Sequence, residues 1–163
     1  MNTVTFRDVK TNDLNALMEI ERAGFSPAEA STVEAMQSRI ANVPDTFIVA
    51  QRADQIVGFV VGAAYNQRYL NDSLYEKSIP NQPDDQYQTI LSIAVAPSER
   101  GNGIASELLN QIQLVAERAG RKAITLTCLE RLIPFYERNG YVNEGESSSS
   151  HANEVWYNMV KTI

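Results

Sequence analysis

The glycine-rich turn at residues 100–106, R-G-N-G-I-A-S, holds the residues whose types and spacing are best suited to chemistry. An apolar run ends at Pro97 and an amphipathic run begins directly after the turn, which predicts a strand, a turn and a helix N-terminus. Glycines let the backbone approach an anion closely, and the free N–H groups of a first helical turn point toward it. The guanidinium of Arg100 adds donors that suit phosphate oxygens. The turn is therefore a candidate phosphate site, although an ordinary strand-to-helix turn has the same pattern.

Two nucleotide-binding motifs are excluded at this turn. The spacing G-x-G-x-x-S has Ser106 where the dinucleotide fingerprint has a third glycine. No G-K-[ST] follows, so the triphosphate-binding loop is excluded as well. What does fit is R-x-x-G-x-A at Arg100, Gly103 and Ala105, directly after V-A-P at 95–97.

Length and charge limit the classes of protein that the chain can belong to. A chain of 163 residues is right for one domain spanning residues 1–163. The 14 basic and 20 acidic residues give a net charge of -6, which disfavours nucleic acid as a partner and permits an amine substrate, although solubility alone accounts for the charge. No stretch resembles a membrane span or a secretory signal, so no membrane partner and a cytoplasmic location are expected.

The pattern along the chain predicts a strand, two helices, three strands, a helix, a strand, a helix and two strands. Thr11 is expected to cap the first helix, and a capping box with proline at residues 26–29 is expected to begin the second. The hairpin turn falls at 53–54, and the continuous apolar run at 87–96 predicts one central strand. The fold class is therefore α/β, with a mixed, mostly antiparallel sheet of about seven strands and helices on both faces.

The polar stretch at residues 65–86 is a long loop, with a turn of helix expected inside it. Connections of this length in compact domains are usually functional lids or disordered excursions. Its tyrosines and leucines, which include Tyr69 and Tyr75, are more apolar than a free linker requires. The composition therefore favours a lid.

The motifs together resemble the GNAT superfamily of N-acetyltransferases. R-x-x-G-x-A after V-A-P is similar to the acetyl-coenzyme A signature of that family, and P-F-Y-E-R-N-G-Y at 134–141 is similar to its second signature. The predicted element order resembles that fold, the acyl-CoA N-acyltransferase fold, from end to end. Within the superfamily, G-F-S-P-A-E-A at 24–30, T-C-L-E-R-L-I-P-F-Y at 127–136 and a closing aromatic strand with Trp156 resemble the arylalkylamine N-acetyltransferase branch and its bacterial relatives.

The resemblance implies acetyl-CoA as co-substrate and no metal. It implies a central pair of parallel strands that splay apart, and backbone groups of Ile93, Ala94 and Val95 that pair with the pantetheine arm like an added strand. The pyrophosphate is expected on backbone N–H groups of the turn, whose members are Arg100, Gly101, Asn102, Gly103, Ile104, Ala105 and Ser106.

Acetyl transfer from sulfur to an amine needs a neutral amine, stabilisation of the carbonyl oxygen, and a proton for the departing thiolate. Tyr136 matches the tyrosine that the family places near the cofactor sulfur, so it is the expected general acid; without the resemblance it reads as a core tyrosine. A backbone N–H of the central strand is expected to polarise the carbonyl. Substrate contacts are expected from Phe25, Pro27 and Glu29, from the loop at 65–86 and from the region of Trp156.

The general base stays open at this point. The arylalkylamine branch is associated with histidines on the central strand, but residues 89–91 read Thr, Ile and Leu. The single histidine, His151, follows a run of serines and is expected to be a solvated loop residue. Glutamates beside the expected cleft, or water, remain as candidates: Glu21, Glu29 and Glu130. Cys128 has no histidine beside it in the sequence and is interpreted as a buried, inert thiol rather than an acyl carrier.

The leading hypothesis is acetyl transfer from acetyl-CoA to a small primary amine, such as an arylalkylamine or a polyamine. The alternatives are a protein or peptide N-terminal acetyltransferase and a non-catalytic domain that binds or senses coenzyme A. An open groove favours a peptide, whereas a closed cavity roofed by the long loop favours a small amine. The oligomeric state, including a homodimer, stays open.

Overall fold

Nine strands and four α-helices run through residues 3–163, the part of the chain that the computed structural model describes. In chain order they are β1 (Val4–Asp8), α1 (Leu14–Gly24), α2 (Val33–Asn42), β2 (Phe47–Arg52), β3 (Gln55–Val61), β4 (Ala64–Tyr65), β5 (Tyr87–Thr89), β6 (Ser92–Val95), α3 (Ile104–Arg118), β7 (Ala123–Leu129), α4 (Ile133–Arg138), β8 (Val142–Glu146) and β9 (Trp156–Thr162).

The strands form two adjoining sheets, in the orders β1-β2-β3-β6 and β4-β5-β7-β9-β8. Every pairing is antiparallel except that of β5 with β7. The mixed, mostly antiparallel α/β architecture predicted from the sequence is confirmed. The strand count exceeds the predicted seven for two reasons: the two-residue strand β4 is separate from β3, and the predicted central strand is divided into β5 and β6.

Apolar side chains cover both faces of the sheet. In β2, Phe47 and Val49 join a buried cluster with residues of α1 and α2, whereas Ile48 and Ala50 join a second cluster with residues of α3. This alternation is what period-2 side-chain geometry produces in a strand covered on both faces. Helices therefore lie on both faces, as predicted.

The predicted single strand at 87–96 is wrong, because the chain changes partners in its middle. Ile90 N still donates to Thr125 O of β7, at 3.0 Å, whereas Leu91 N donates to Val61 O of β3, at 2.8 Å. Ser92 is also in register with Val61, so two residues face one and form a β-bulge. Beyond the bulge β6 follows β3, and no ladder pair joins β6 to β7 in the described chain. β6 therefore splays away from β7, as the resemblance implied.

Gly62 lets the two sheets approach each other at this point. A Cβ on Gly62 would lie 1.6 Å from the carbonyl oxygen of Thr89. Thr89 N also donates to Ala63 O, at 2.9 Å. A side chain at position 62 is incompatible with this backbone contact, so the glycine is required by sterics rather than by its own dihedral angles.

Two predicted helix starts are wrong in detail. Thr11 does not cap the first helix; instead the Asp13 carboxylate accepts from Lys10 N at 2.8 Å and from the Arg7 guanidinium. The capping box at residues 26–29 forms its reciprocal bonds but closes only a turn. The second helix begins at Val33, where Thr32 Oγ1 accepts from the N–H of residue 35. Within residues 3–163, no helix has the length and apolar character needed to cross a membrane.

Candidate active site

The splay of β6 from β7 leaves a cavity of about 100 Å³ between the two strands. Its walls are the bulge region, residues 90–93, and the end of β7, residues 126–129. The remaining lining residues come from α1, the α1–α2 connection, the long loop, the start of α4 and the segment before β9: Glu21, Phe25, Glu29, Ser31, Tyr75, Arg131, Leu132, Tyr136, Ser149, His151 and Trp156.

Tyr136 lies on α4 and lines this cavity although it is almost fully buried, with 6% of its surface exposed. Its ring packs edge-on against Phe135 and Tyr141, with centroid distances of 5.0 and 5.7 Å. Burial raises the pKa of Tyr136, and the neighbouring Cys128 thiol acts in the same direction. The phenol is therefore protonated at neutral pH, and it can donate a hydrogen bond or a proton to a group in the cavity.

Cys128 also lines the cavity, where burial raises the pKa of its thiol to about 12. The nucleophilic form of cysteine is the thiolate. At neutral pH nearly all of the side chain is the thiol, which supports its interpretation as an inert residue.

A buried chain of polar groups runs from the interior to the cavity wall and contains Glu21. Ser92 Oγ donates to Glu21 Oε1 at 2.6 Å, and Ser31 N donates to Glu21 Oε2 at 2.7 Å. Arg39, only 1% exposed, donates to Ser31 Oγ at 2.8 Å and to Tyr75 O at 3.2 Å. Burial lowers the pKa of Arg39, and the charge of Glu21 opposes that shift. Ser31 therefore bridges a buried cation and a buried carboxylate.

Glu29 lies on the more exposed side of the cavity, next to Glu154. A hydrogen bond from the Glu154 carboxyl lowers the pKa of Glu29, and the same bond raises the pKa of Glu154. The two carboxyls therefore lie close enough for each to affect the ionisation of the other. The third candidate base, Glu130, does not line the cavity.

His151 lines the cavity, so the expectation of a solvated loop residue is wrong. Its ring stacks on Tyr75 with centroids 5.7 Å apart and lies 5.8 Å from the Trp156 ring. Its Nε2 is 3.2 Å from the carbonyl oxygen of Glu29, and Trp156 Nε1 donates to its backbone oxygen at 2.8 Å. Tyr75 and Glu29 are distant in the sequence and Trp156 is five positions away, but a polar serine run gives no signal for any of these contacts.

Two segments meet over the cavity, residues 65–86 and 147–155, and are called the roof below. Ser149 Oγ donates to Asp72 Oδ1 at 2.6 Å. On β8, Glu144 accepts from Arg68 Nε at 2.8 Å and from Tyr69 Oη at 2.7 Å. The predicted turn of helix in the long loop is present at Asp72–Tyr75 as a 3-10 helix. Three residues of the roof line the cavity and partly cover it: Tyr75, Ser149 and His151.

The glycine-rich turn lines a second groove, of about 320 Å³, at the N-terminus of α3. Gly101 and Gly103 have φ angles of +83° and +78°, and no heavy atom lies within 4 Å of where a Cβ would be on either. Asn102 is the member of the predicted turn that does not line the groove. The residues that line the groove are Val95, Glu99, Arg100, Gly101, Gly103, Ile104, Ala105, Ser106, Phe135, Arg138 and Asn139.

The register of β6 determines which of its backbone groups are free. Ala96 N donates to Val57 O at 2.8 Å. In an antiparallel ladder every second residue bonds to the same partner strand, so Ala94, two positions before Ala96, also bonds to β3. Ala94 is therefore committed to β3. The N–H and C=O groups of Ile93 and Val95 point into the gap between β6 and β7.

The part of the chain that contains the cavity walls and the groove matches a known family. Residues 44–143, which include the hairpin, the bulge, the glycine-rich turn and α4, match the family model described as acetyltransferase (GNAT) domain. The chain belongs to the GNAT acetyltransferase family.

Solved structures share the fold of this GNAT chain over almost its full length. Ard1 from Thermoplasma volcanium is similar with a TM-score of 0.77 and 21% identity, over 98% of this chain and 97% of that one. GphF GNAT-like decarboxylase in complex with isobutyryl-CoA has a TM-score of 0.83 and 15% identity, over 97% and 98%. PaiA N-acetyltransferase from Thermoplasma acidophilum in complex with coenzyme A has a TM-score of 0.73 and 16% identity, over 99% of each chain. At these identities the similarity shows the fold.

The residues of this GNAT chain fit coenzyme A at two places. The groove at the α3 N-terminus offers backbone N–H groups, open space at two glycines and the guanidinium of Arg138, all of which suit a pyrophosphate. The unpaired edge at Ile93 and Val95 suits an extended, amide-containing arm, which pairs as a strand would. The predicted backbone contacts therefore fall on Ile93 and Val95, whereas Ala94 has its partner in β3.

The structure brings together most, but not all, of the predicted site residues. Phe25, Glu29 and Tyr136 line the cavity, whereas Pro27 is exposed and does not. Sequence reasoning missed Arg138 and its neighbours in the groove, although they lie inside the second GNAT signature that identified Tyr136. Among residues 3–163, no group of three or more His, Cys, Asp or Glu side chains is arranged to hold a metal ion.

Proposed function

We propose that this GNAT protein transfers an acetyl group from acetyl-CoA to a small primary amine, with Tyr136 as the general acid. The observation that carries the proposal is the cavity between β6 and β7, which is small, mainly apolar and partly covered by the roof. A peptide requires an open groove for its backbone, whereas a short amine fits a closed cavity. The fold alone does not decide the reaction, because one fold hosts many activities.

The residues around the cavity supply the groups that transfer requires. The backbone N–H of Ile93 faces the gap and is placed to polarise a carbonyl, as a preorganised donor does. Tyr136, protonated at neutral pH, faces the same space and supplies a proton to the departing sulfur. The groove and the β6 edge hold the rest of the acetyl-CoA, so the thioester end is directed into the cavity.

The lining of the cavity favours an amine that carries an apolar body. Phe25, Leu132 and Trp156 supply apolar and aromatic surface, and the neighbouring carboxyls of Glu29 and Glu154 place negative charge at the exposed side. An ammonium group is attracted to that charge, whereas an anionic acceptor is repelled.

A thiol-release screen tests the proposal. The protein is incubated with acetyl-CoA and a panel of primary amines and short peptides, and the dissociation constant of acetyl-CoA is measured by calorimetry. We expect release with a subset of small amines, none with peptides, and none without an acceptor. Release with peptides alone supports the N-terminal acetyltransferase, and tight binding without any release supports a sensing domain; either result refutes the proposal.

Substitution of Tyr136 by Phe tests the assigned acid. General acid catalysis contributes roughly 10²-fold to 10⁴-fold, so kcat in Y136F is expected to fall by about 10²-fold or more, with the affinity for acetyl-CoA unchanged. Y141F is the matched control, since Tyr141 packs against Tyr136, is equally buried and does not line the cavity. Equal activity of Y136F and Y141F would show that Tyr136 is a core residue.

A further inference from the structure

The contacts of Glu21 single out one of the glutamates that the sequence left open as bases. Glu21 and Glu29 both line the cavity, but Glu29 lies beside a second carboxyl, that of Glu154, and sits on the more exposed side. Glu21 is 1% exposed, and it is bound to a serine hydroxyl of the strand that borders the gap.

We infer that Ser92 and Glu21 form a proton relay that deprotonates the acceptor amine, an inference that rests on the proposed acetyl transfer. Ser92 lies in the bulge, next to Ile93, whose N–H faces the gap, and its side chain lines the cavity. Its Oγ donates to Glu21 Oε1 at 2.6 Å, a short distance typical of a hydroxyl donating to a carboxylate. The lone pairs of the same hydroxyl remain available to accept a proton from a group in the cavity.

The buried cation behind Glu21 accounts for a carboxylate at this depth. A buried guanidinium needs a counter-charge, and Glu21 supplies it to Arg39 through Ser31. Arg39 also holds the carbonyl oxygen of Tyr75 in the roof. Arg39 is therefore a positioning residue that links the charge of the relay to the closed roof.

The transfer balances when the relay and Tyr136 act together. The neutral amine attacks, so a nitrogen–carbon bond forms and the carbon–sulfur bond breaks. The proton of the nitrogen passes to Ser92 Oγ as the Ser92 proton passes to Glu21 Oε1, and the sulfur takes the proton of Tyr136. When the amide and coenzyme A have left, the proton on Glu21 returns through solvent to the Tyr136 phenolate, which restores both groups.

The pH profile of E21Q tests the relay, because a merely structural carboxylate would not set that profile. The substrate is a weakly basic primary amine from the accepted set, neutral throughout the assayed range, so that a loss of kcat/KM at low pH belongs to the protein. The other ionisable groups that line the cavity are Tyr75 and His151 in the roof, Glu29 and Arg131 near its exposed side, and Cys128 and Tyr136 across the gap, while Arg39 on α2 lies behind Glu21. H151Q therefore accompanies E21Q in the assay.

In E21Q we expect kcat/KM at neutral pH to fall by about 10²-fold or more and its decline at low pH to disappear. The dissociation constant of acetyl-CoA is measured alongside and should stay near wild type, whereas the thermal midpoint should fall, because E21Q removes the counter-charge of the buried Arg39. E130Q is the control that keeps wild-type activity, since Glu130 does not line the cavity.

Ser92 variants test the relay without altering the buried carboxylate, and they decide the matter if E21Q does not fold. S92A should lose at least about tenfold in kcat/KM, at the lower end of what general acid–base groups contribute, and S92T, which keeps a hydroxyl, should recover most of the loss. Wild-type rates in S92A, an unchanged profile in E21Q, or loss of the low-pH decline in H151Q alone would each overturn the relay. If the wild type releases no thiol with any amine, the proposed function fails and the relay fails with it; release in the wild type with E21Q unaffected overturns the relay alone.

Discussion

Gly103 and Gly120 flank α3, and both have left-handed backbone with open space where a side chain would go. Their φ angles are +78° and +75°, and no heavy atom lies within 4 Å of a Cβ at either position. Only Gly103 lines the groove assigned to the pyrophosphate. The two positions therefore share their backbone strain and differ in what a large side chain would obstruct.

Substitution of Gly103 by Trp should abolish binding of acetyl-CoA, because the indole fills the groove. G120W is the matched control, since it carries the same strain, of order 1–3 kcal/mol, at the other end of the helix. Calorimetric titration with acetyl-CoA is expected to show wild-type affinity for G120W and no binding for G103W. Full affinity in G103W would show that the pyrophosphate lies elsewhere.

Single residues were predictable from the sequence where a local motif specifies them. The turn at Gly101 and Gly103 and the position of Tyr136 at the cavity follow from residues adjacent in the chain. His151 was not predictable in this way, because its ring stacks on Tyr75, a residue distant in the sequence, and no local pattern encodes such a stack. The Ser92–Glu21 contact is long-range as well, spanning 71 positions.

Among the elements, the break between β5 and β6 produces the cavity, and Gly62 allows β3 and β5 to approach each other beside it. Replacing Gly62 with Ala would place a Cβ 1.6 Å from the Thr89 carbonyl oxygen, which is backbone and cannot rotate away. Overpacking typically costs about 1–3 kcal/mol and sometimes more, so G62A should lower the free energy of unfolding by about 3 kcal/mol. Urea unfolding measures this change.

Gly24 offers the matched control for that substitution. It lies at the end of α1, and a Cβ there would meet Ala94 Cβ at 3.7 Å, an ordinary contact. Alanine is favoured over glycine inside helices by up to about 1 kcal/mol, so G24A should be neutral or slightly stabilising. If G62A unfolds at the same urea concentration as G24A, then the backbone at position 62 does not lie as close to the Thr89 carbonyl oxygen as the structure shows.

The sequence specified most elements but could not show where the central strand divides. The hairpin, α3 and α4 are set by turns, caps and helical periodicity, which are local. Residues 90–95 are almost continuously apolar on either side of the bulge, because every residue of the run is buried or half-buried. The division appears only when the partners are known, since β5 pairs with β7 and β6 pairs with β3.

For the molecule as a whole, the proposed preference for a small acceptor over a peptide depends on the roof. Its two segments are joined by the bond from Ser149 to Asp72, which spans 77 positions of the sequence. That bond is exposed, and so are the bonds that tie Arg68 and Tyr69 of the roof to Glu144 on β8. Such contacts open locally at low cost, so the roof is the part of the fold expected to move when an acceptor enters.

Removing the bonds that hold the roof should weaken capture of a small amine without unfolding the protein. The double variant E144A and D72A deletes the acceptors of Arg68, Tyr69 and Ser149. Exposed pairs contribute about 0.2–1 kcal/mol each, so KM for a small amine should rise by about fivefold to tenfold, with little change in the thermal midpoint. E117A, at the exposed end of α3, should leave KM unchanged. An unchanged KM in the double variant would mean that these bonds do not keep the cavity closed, and the argument for a small acceptor would lose its structural basis.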